Sequence, residues 1–453
     1  MTETPPKPAA RPDKVSLWRY LKLFREDILS AQPARLYRAW MAEFRTPFFR
    51  SYMANDPTII TSVLKDRPDD FPKSDRVGAG LAPLLGQSVF LTNGDLWKRQ
   101  RRIIDPAFEG GRIRDTFDAM WGAAAATVAR LDARTGEVFD IEPETSHAAA
   151  DVIFRTLFSI PIENELAAEV FAEFQAHQRS QPILNLAAFV PGPRWMPRFF
   201  RSETRATAER IRGLITRLVD DRAALIARGA APDDLATKIM TMADPKTGET
   251  FDPAEMVDQV AIFFLAGHET SASALAWTLY LLATHPEWQE KVAEEAADLE
   301  ADFSRLSSLR VTRDVFREAL RLYPPVPMMV RETTRPETFR KRAIRKGAQI
   351  VLSPWHLHRH ERMWDRPDEF DPSRWRTEAG KASAREAYMP FSTGPRVCTG
   401  ASFAMAEGVI LTALIVRAFG ISASPEHVPV PVAHLTVRSR DGIFLKLVRR
   451  APR

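Results

Sequence analysis

Apolar residues recur at helical spacing through the middle of the chain. Alanine- and leucine-rich segments occupy about 110–330, for example 115–131 (DTFDAMWGAAAATVARL) and 202–229, a spacing that predicts helices. Strand-like patches are few and lie near both ends, at 48–53 (FFRSYM), 347–355 (GAQIVLSPW) and 434–448 (HLTVRSRDGIFLKLV), where SRDG predicts a hairpin turn. We expect a mainly α fold with a minor β portion built from both ends. The helix-rich body should cover about 95–330 and 380–420, and the sheet-rich portion about 40–75, 325–360 and 430–448.

One predicted helix is unusually long. Asp252 is a good N-cap, Pro253 suits the first helical position, and Glu255 completes a capping box. Because the next proline is Pro286, the helix should run for about 33 residues, or roughly 50 Å. Its middle, VAIFFLAGHETSASALAW, is apolar on nearly all sides and indicates a buried central helix.

This apolar middle contains Gly267, Glu269 and Thr270. A glycine and a buried acid both destabilise a helix interior unless something compensates. One interpretation is close helix packing at the glycine and a threonine bonded back to its own helix. The other is a widened groove for a small ligand beside a proton-relaying acid and hydroxyl. We expect His268 to pack or to form a local hydrogen bond, or else to contact the pocket.

A second helix is predicted after Thr312, in RDVFREALRLYPP, ending at the paired prolines. Glu318 and Arg321 are three residues apart, so they share one face and can pair. Such pairs are usually solvated and weak. The apolar neighbours indicate burial instead, and Arg374 is a candidate third member.

Composition adds few constraints. The chain has 453 residues, a net charge of +5 and one cysteine, so charge gives no argument for nucleic-acid binding. The lone cysteine favours a reducing compartment, and we expect a cytoplasmic location. Residues 1–14 are proline-rich and should form a disordered tail before a single domain over 15–453. The sequence has no apolar run of about 20 residues, so we expect no transmembrane anchor. The amphipathic segment 15–24 should pack on the body or contact a membrane surface.

The only cysteine, Cys398, lies in the turn FSTGPRVCTG. A thiolate is a soft metal ligand, and glycines such as Gly394 and Gly400 allow a sharp turn close to a flat cofactor. Phe391 could cover the sulfur, and Arg396 could pair with a carboxylate of the cofactor. If it stood alone, this cysteine would be better explained as an inert buried residue.

These residues together resemble the haem-binding loop of the cytochrome P-450 haem-thiolate monooxygenases. AGHETS (266–271) resembles the family's oxygen-binding stretch, and Glu318 with Arg321 resembles its paired Glu and Arg. RPDEFDPSRW, with Arg374, resembles the region completing that triad, and 94–108 resembles the helix that contacts haem propionates. The resemblance covers essentially the whole chain beyond the tail. It implies the triangular cytochrome P-450 fold, with a long central helix over the haem, and a soluble bacterial type.

The resemblance also implies a role for each matching residue. Cys398 would be the axial ligand of the haem iron. Thr270 and Glu269 would be catalytic, through hydrogen bonding to dioxygen and proton delivery, beside an oxygen groove at Ala266 and Gly267. Propionate binding would fall to Trp97, Arg101, Arg331 and Arg396; Phe391, Gly394 and Gly400 would shape the thiolate loop; and Glu318, Arg321 and Arg374 would be structural.

The implied reaction inserts one oxygen atom of dioxygen into a C–H or C=C bond, with haem b as cofactor. Electrons would come from NAD(P)H through a separate ferredoxin and reductase, or an equivalent flavoprotein, since the chain has no cysteine set for a cluster. Lys98, Arg99 and Arg102 would form a docking face or simply a solvated helix face. The substrate would be small and apolar. By resemblance its pocket would be formed by parts of 76–93 and by Phe263, Pro327, Met328, Met329, Val330, Leu435 and Thr436.

Three alternatives remain open at this point. The same fold hosts peroxide-driven and rearranging enzymes, although the presence of both Glu269 and Thr270 favours dioxygen. His356, His358 and His360 alternate, and in a strand they would share one face as in a metal site. A non-enzymatic sensor would need an exposed, polar Cys398, which the apolar setting disfavours.

Overall fold

A computed structural model of the protein describes residues 4–45, 50–109, 112–180, 202–433 and 435–451. Helices dominate these residues, as predicted from the periodicity. The α-helices are α1 Leu17–Glu26, α2 Pro57–Thr61, α3 Asp75–Leu85, α4 Gly94–Phe108, α5 Arg112–Asp132, α6 Glu142–Phe158, α7 Glu165–Ser180, α8 Ser202–Ala227, α9 Leu235–Thr241, α10 Pro253–Thr284, α11 Pro286–Glu295, α12 Arg310–Leu322, α13 Pro354–Leu357, α14 Glu378–Ala387 and α15 Ala401–Ala418.

The strands are short and belong to several small sheets. They are β1 Met41–Arg45, β2 Arg50–Ala54, β3 Val138–Asp140, β4 Met329–Glu332, β5 Glu337–Phe339, β6 Arg342–Ile344, β7 Gln349–Leu352, β8 Phe419–Ala423, β9 Pro431–Ala433, β10 Val437–Ser439 and β11 Phe444–Arg449. The largest sheet has the order β1-β2-β7-β4, and the others are β3-β11-β8, β10-β9 and β5-β6.

The C-terminal strands differ from our expectation. The SRDG segment does not form a hairpin, because β10 pairs with β9 while β11 pairs with β3 and β8. Nor do these strands join β1 and β2, so the predicted sheet-rich portion is divided. Two parts of the predicted strands lie outside the described residues: Phe48 and Phe49, at the start of the first patch, and His434, at the start of the last.

The long central helix is confirmed as α10. The Asp252 carboxylate accepts from the Glu255 backbone N–H (2.7 Å), and the Glu255 carboxylate accepts from the Asp252 N–H (3.1 Å). This reciprocal capping box satisfies two otherwise unpaired donors. Most of the helix beyond its first turn is buried, which matches its nearly uniform apolar character.

The helix predicted after Thr312 starts earlier, at Arg310. Thr312 lies inside α12 rather than capping it. The carboxylate of Glu295 accepts hydrogen bonds from the N–H groups of Val311 and Thr312, both at 2.8 Å. The cap therefore comes from α11, and a local sequence pattern does not reveal a capping acceptor that lies on another helix.

The N-terminal region packs on the body. Residues 4–14, which we expected to be a disordered tail, contact it: the Tyr323 hydroxyl donates to the Pro6 carbonyl (2.8 Å), and the Arg11 guanidinium donates to the Ala31 carbonyl (2.6 Å). On α1, Phe24 packs against the main core while Trp18 stays 83% exposed. The structure thus shows α1 packed on the protein.

Candidate functional site

A cavity of about 620 Å³ lies between α10, α15, the Cys398 loop and the largest sheet. Its walls are mostly apolar. Cys398 and Thr270 both line it, so the two motifs that the sequence separates by more than a hundred residues reach one space. The two motifs meet because α10 and the loop that precedes α15 form walls of the same cavity.

The Cys398 loop is held by its own backbone. The Cys398 N–H donates to the Phe391 carbonyl (2.9 Å), which closes the loop. Gly394 has φ +73°, and a Cβ at this position would lie 2.0 Å from the Leu64 carbonyl oxygen. Gly394 is therefore required both by its left-handed backbone and by the close approach of residues 64–65.

Gly400 has a different role. Its φ is −86°, and a Cβ there would meet no protein atom within 4 Å. Gly400 lines the cavity beside Cys398. The protein itself therefore leaves this position open toward the cavity, which is the space a flat cofactor would need.

The Cys398 thiol is exposed only in the sense that it faces the cavity. Burial raises its pKa, while the backbone N–H of Gly400 and the charge of Arg101 oppose that shift. A bound metal cation favours the thiolate. Cys398 thus fits a soft axial ligand better than a reactive surface thiol.

Cations collect at one edge of this cavity. Arg331 is buried, and burial lowers its pKa to about 10. The Arg396 guanidinium lies 4.1 Å from the Trp97 ring centroid, and burial first and Arg331 second lower its pKa, also to about 10. Arg101 is partly neutralised by Asp105 (2.7 Å). The predicted propionate residues are therefore assembled in one place.

Lys73 is a further member of this cluster that the sequence analysis missed. Burial, followed by the charges of Arg331 and Arg396, lowers the pKa of Lys73 well below its usual value. Asn93 links Lys73 to Arg396, because its Oδ1 accepts hydrogen bonds from the backbone N–H of Lys73 (3.0 Å) and from Arg396 Nη2 (2.8 Å). Lysine 73 belongs to no motif, so only the fold reveals it.

Within the described residues, no carboxylate lies within ion-pair distance of Lys73, Arg331 or Arg396. Buried cations normally have a partner. An anionic ligand with two carboxylates would supply it, and the two propionates of haem satisfy that description. The cations, the open position at Gly400 and the cavity-facing thiol together fit haem.

On α10, Gly267 is explained by close packing against a neighbouring helix, which was the first of the two interpretations of this glycine. A Cβ at Gly267 would lie 2.4 Å from Ile153 Cδ1 on α6, so this glycine allows close helix packing. The Thr270 hydroxyl donates to the Ala266 carbonyl of its own helix. All three α10 residues nevertheless line the cavity, so the packing role and exposure to a ligand coexist.

Glu269 is buried and paired. Its Oε1 accepts from the Thr436 hydroxyl (2.7 Å) and lies 3.2 Å from Arg438 Nη2. Arg438 also donates to Gln178 (3.1 Å) and is 38% exposed. Arg438 was not predicted from the sequence. Thr436, predicted for the substrate pocket, lines the cavity and also holds Glu269 through its hydroxyl.

His268 points away from the other α10 motif residues. Its Nε2 lies 2.6 Å from the Ser146 hydroxyl, and its ring packs edge-on against Phe171. Burial, followed by the charge of Arg438, lowers its pKa to about 3. The expected local hydrogen bond is therefore present.

Glu407 on α15 is a second buried acid in the cavity wall. Its Oε2 accepts from the Ser271 hydroxyl (2.8 Å), while its Oε1 has no partner. Burial raises its pKa to about 8, opposed by the Ser271 bond. The sequence analysis missed it, although an acid within the apolar run FAMAEGVIL was a signal that could have been weighed.

The proposed ion triad is present and fully buried. Arg321 donates to both oxygens of Glu318 at 2.9 Å, and Arg374 donates to the same carboxylate at 2.8 Å. Arg321 also donates to the carbonyls of His358, Pro367 and Glu369. The pair is thus a structural junction and not a solvated surface contact.

The remaining predicted pocket residues line the cavity. They are Phe263, Pro327, Met328, Met329, Val330 and Leu435. Parts of 76–93 join them, including Leu81, Val89 and Phe90. Thr436 also lines the cavity, although its hydroxyl is bonded to Glu269.

The alternating histidines do not form a metal site. They lie on α13 and the turn after it rather than on a strand, and each has a separate environment: His356 bonds Ser353, and His358 accepts from the Met389 N–H (2.9 Å). Among the described residues no group of three metal-ligating side chains occurs.

The basic face of α4 is largely engaged. Arg99 pairs with Glu255 (2.6 Å), Arg102 pairs with Asp244 (2.6 Å), and Lys98 reaches Asp69 (3.1 Å). The hydrogen bonds from Arg102 hold the pKa of Asp244 well below its usual value. This arrangement favours a structural role for Arg99 and Arg102, which tie α4 to residues 244–255.

Comparison with known proteins agrees with the site. The family model described as Cytochrome P450 matches residues 36–447. Human "Cytochrome P450 4A11" is 31% identical over 427 residues, covering 88% of this chain and 79% of the relative. "Cytokinin hydroxylase" of Arabidopsis thaliana is 29% identical over 377 residues, covering 81% of this chain and 73% of the relative.

Solved structures show the same fold. The crystal structure of the cytochrome P450DA heme domain superposes with a TM-score of 0.81 at 24% identity, covering 100% of this chain and 99% of the other. The relatives named above come from an animal and a plant, so they lend no support to a bacterial type. Within the described residues, α15 alone has the length and apolar character of a membrane span, and 67% of that window is buried inside the protein.

Proposed function

Because this chain belongs to the cytochrome P450 family of haem-thiolate monooxygenases, we propose that it hydroxylates or epoxidises a small, predominantly apolar organic substrate, using electrons from a separate redox protein. The observation that carries this proposal is the apolar cavity in which Cys398 and Thr270 share one space beside an unbalanced cluster of cations.

The described residues divide into distinct tasks. Cys398 would bind the haem iron, and Lys73, Arg101, Arg331 and Arg396 would hold the haem propionates. The haem, when bound, supplies the chemistry that activates dioxygen. The apolar walls exclude water and select an apolar substrate.

Protons would reach the cavity through α10. Glu269 lies next to Thr270, and among the described residues Arg438, which is partly exposed, is the cation within ion-pair distance of its carboxylate. For Glu269 to pass a proton toward Thr270, its carboxylate must leave Thr436 and Arg438. Arg438 is thus a positioning residue that, together with Thr436, fixes the orientation of the Glu269 carboxylate between transfers.

Electrons would come from NAD(P)H through a ferredoxin and its reductase or an equivalent flavoprotein, with the protein in the cytoplasm. The one cysteine in the sequence is assigned to the haem, which leaves no cysteine set here for an iron–sulfur cluster. Since the α4 arginines are engaged internally, any docking face there would depend on Lys98 and its neighbours.

Isotopic labelling tests this function. The haem-loaded protein would be supplied with labelled dioxygen, dodecanol, NADPH, and a plant-type ferredoxin with its reductase, and the product analysed by mass spectrometry. We expect NADPH-dependent product carrying one labelled oxygen atom. Product that forms without NADPH and takes its label from hydrogen peroxide would instead favour a peroxide-driven enzyme.

A further inference from the structure

Arg438 lies between two acids. It forms an ion pair with Glu269 of α10 (3.2 Å), and its charge also acts on Glu142, the first residue of α6. Among the described residues, Glu269 is the only acid within ion-pair distance of Arg438. One cation is therefore available to two carboxylates, and the structure shows one of the two possible pairings.

The backbone of β10 holds Glu142 beside Arg438. Glu142 Oε1 accepts a hydrogen bond from the backbone N–H of Ser439 (3.1 Å), the residue that follows Arg438 in the chain. Because β10 pairs with β9 alone, its other edge is open to this contact. Glu142 Oε2 accepts no hydrogen bond from the described residues. This oxygen can therefore receive an N–H of the Arg438 guanidinium.

The face of α6 that bears Glu142 is turned toward α10. Residues four apart share a helix face, and Ser146, four residues after Glu142, lies 2.6 Å from His268 Nε2. Burial, followed by the charge of Arg438, lowers the pKa of His268 to about 3. His268 is thus neutral near pH 7 and does not compete with Arg438 for either acid.

Few other charged groups face Glu142. Asp140, at the end of β3, accepts a hydrogen bond from the backbone N–H of Glu142 (3.1 Å). On α6 itself, Glu144 pairs with Arg130 (2.6 Å). Among the charged groups of the described residues, Arg438 is the one cation that acts on Glu142.

Glu142 changes its charge near neutral pH. Burial raises its pKa to about 7, opposed by the Ser439 N–H and the charge of Arg438, while Asp140 adds to the rise. Below this pH Glu142 is neutral and attracts Arg438 weakly. Above it, the ionised carboxylate competes with Glu269 for the guanidinium. The competition therefore becomes stronger as the pH rises.

We propose that Glu142 is the alternative partner of Arg438, and that movement of the guanidinium from Glu269 to Glu142 frees Glu269 to deliver protons to Thr270. The proposal rests on the proposed function. Arg438 keeps its protons during the movement. Glu269 takes a proton from water and passes it to the Thr270 hydroxyl, which passes one on to the cavity. Glu142 does not line the cavity, so it is a positioning residue that acts through Arg438.

The pH dependence of turnover tests this role. The haem-loaded protein would oxidise dodecanol with NADPH, ferredoxin and reductase, and each variant would be compared with the original protein at the same pH. Glu142→Gln, which stays neutral, should lower kcat roughly tenfold at about pH 8 and little at about pH 6, with KM unchanged. Glu165→Gln removes an exposed first-turn acid from α7 and should change neither constant.

The Arg438→Met variant shows whether Glu142 acts through Arg438. Because this variant lacks the cation, adding Glu142→Gln to it should cause no further change in kcat at either pH. A loss of kcat in Glu142→Gln that is equal at both pH values would overturn the proposal. So would a loss that persists in the Arg438→Met background.

Infrared titration of the haem-loaded protein gives a readout that does not depend on turnover. We expect a carboxylic-acid band that titrates near pH 7 and is missing from Glu142→Gln. Arg438→Met should raise the midpoint of this band, because the charge of Arg438 lowers the pKa of Glu142. An unchanged midpoint, or a Glu142 that is ionised throughout, would contradict the proposal. If Glu142→Gln does not fold, the midpoint in Arg438→Met decides.

These failures are distinguishable from failure of the proposed function. A protein that takes up haem and incorporates labelled oxygen, but shows the contrary pH dependence, loses only the assignment of Glu142. A protein that takes up no haem loses the proposed function itself.

Discussion

At the scale of single residues, two glycines in the Cys398 loop separate what the polypeptide needs from what a cofactor needs. Gly394 is fixed by protein contacts, since its backbone is left-handed and the Leu64 carbonyl would touch any Cβ. Gly400 is free of such contacts and faces the cavity. Two residues that look equivalent in the sequence therefore have different physical reasons.

Alanine substitution distinguishes these reasons. Gly394→Ala should destabilise the protein by at least about 2 kcal/mol through strain and a backbone clash, seen as a lower midpoint of urea unfolding in the apoprotein. Gly400→Ala should leave the apoprotein midpoint unchanged but speed haem loss, measured by transfer of haem to apomyoglobin. A destabilised Gly400→Ala apoprotein would contradict the cofactor explanation.

The roles of Cys398 and Glu318 could be predicted from the sequence because each residue lies in a recognisable motif. Lys73 and Arg438 could not, because each acts through neighbours far away in the chain. Lys73 reaches the cation cluster by pairing its backbone with Arg331, and Arg438 reaches Glu269 from β10. The resemblance placed Thr436 in the pocket, which it lines, but did not reveal its hydrogen bond to Glu269.

At the scale of elements, apolar periodicity and capping residues were sufficient for the long helices. The bounds of α10 follow from its capping box and from Pro286. The start of α12 did not follow, since its cap is supplied by Glu295 on another helix. Strand pairing was harder still: the turn-like SRDG suggested a hairpin, but β10 and β11 pair with other strands.

The triad makes α12 a test of element-level stability. Glu318→Gln should cost about 3–5 kcal/mol, because it leaves Arg321 and Arg374 buried without their shared counter-charge. Urea unfolding would measure this loss. Glu378→Gln, which removes an exposed pair with Lys381, is the control and should cause little change. Equal effects from both variants would show that the triad is not a stabilising junction.

At the scale of the whole molecule, the cavity joins groups from both ends of the chain, and two buried acids flank Thr270 with different partners. Glu269 is held by Arg438, whereas Glu407 has one unpaired oxygen and a pKa raised to about 8. Differences of this kind between neighbouring acids are typical of sites that handle protons. The fold class could be predicted from the order of the motifs. The different surroundings of Glu269 and Glu407 could not, because they depend on how distant segments pack together.

Glu407 should make stability depend on pH. Its folded pKa of about 8 exceeds the ordinary value of 4.5, so between these values the folded state binds more protons than the unfolded state. Its contribution to stability is therefore complete below about pH 4.5 and is lost as the pH rises toward 8. Glu407→Gln should remove this loss, so its stability relative to the original protein should increase from about pH 5 to about pH 8 in urea titrations.

Glu386→Gln, at an exposed acid of α14, controls for the general effect of removing a negative charge. A Glu407→Gln protein whose relative stability stays constant across this pH range would show that Glu407 is ionised in the folded state.

The central claim is that Cys398 binds haem iron as a thiolate, and the absorption spectrum of the reduced protein exposed to carbon monoxide tests it most directly. We predict a strongly red-shifted Soret band, which the Cys398→Ser variant should lose while keeping its fold by circular dichroism. A purified protein that takes up no haem, or a band at the position typical of a neutral axial ligand, would contradict the assignment of Cys398 and the monooxygenase function derived from it.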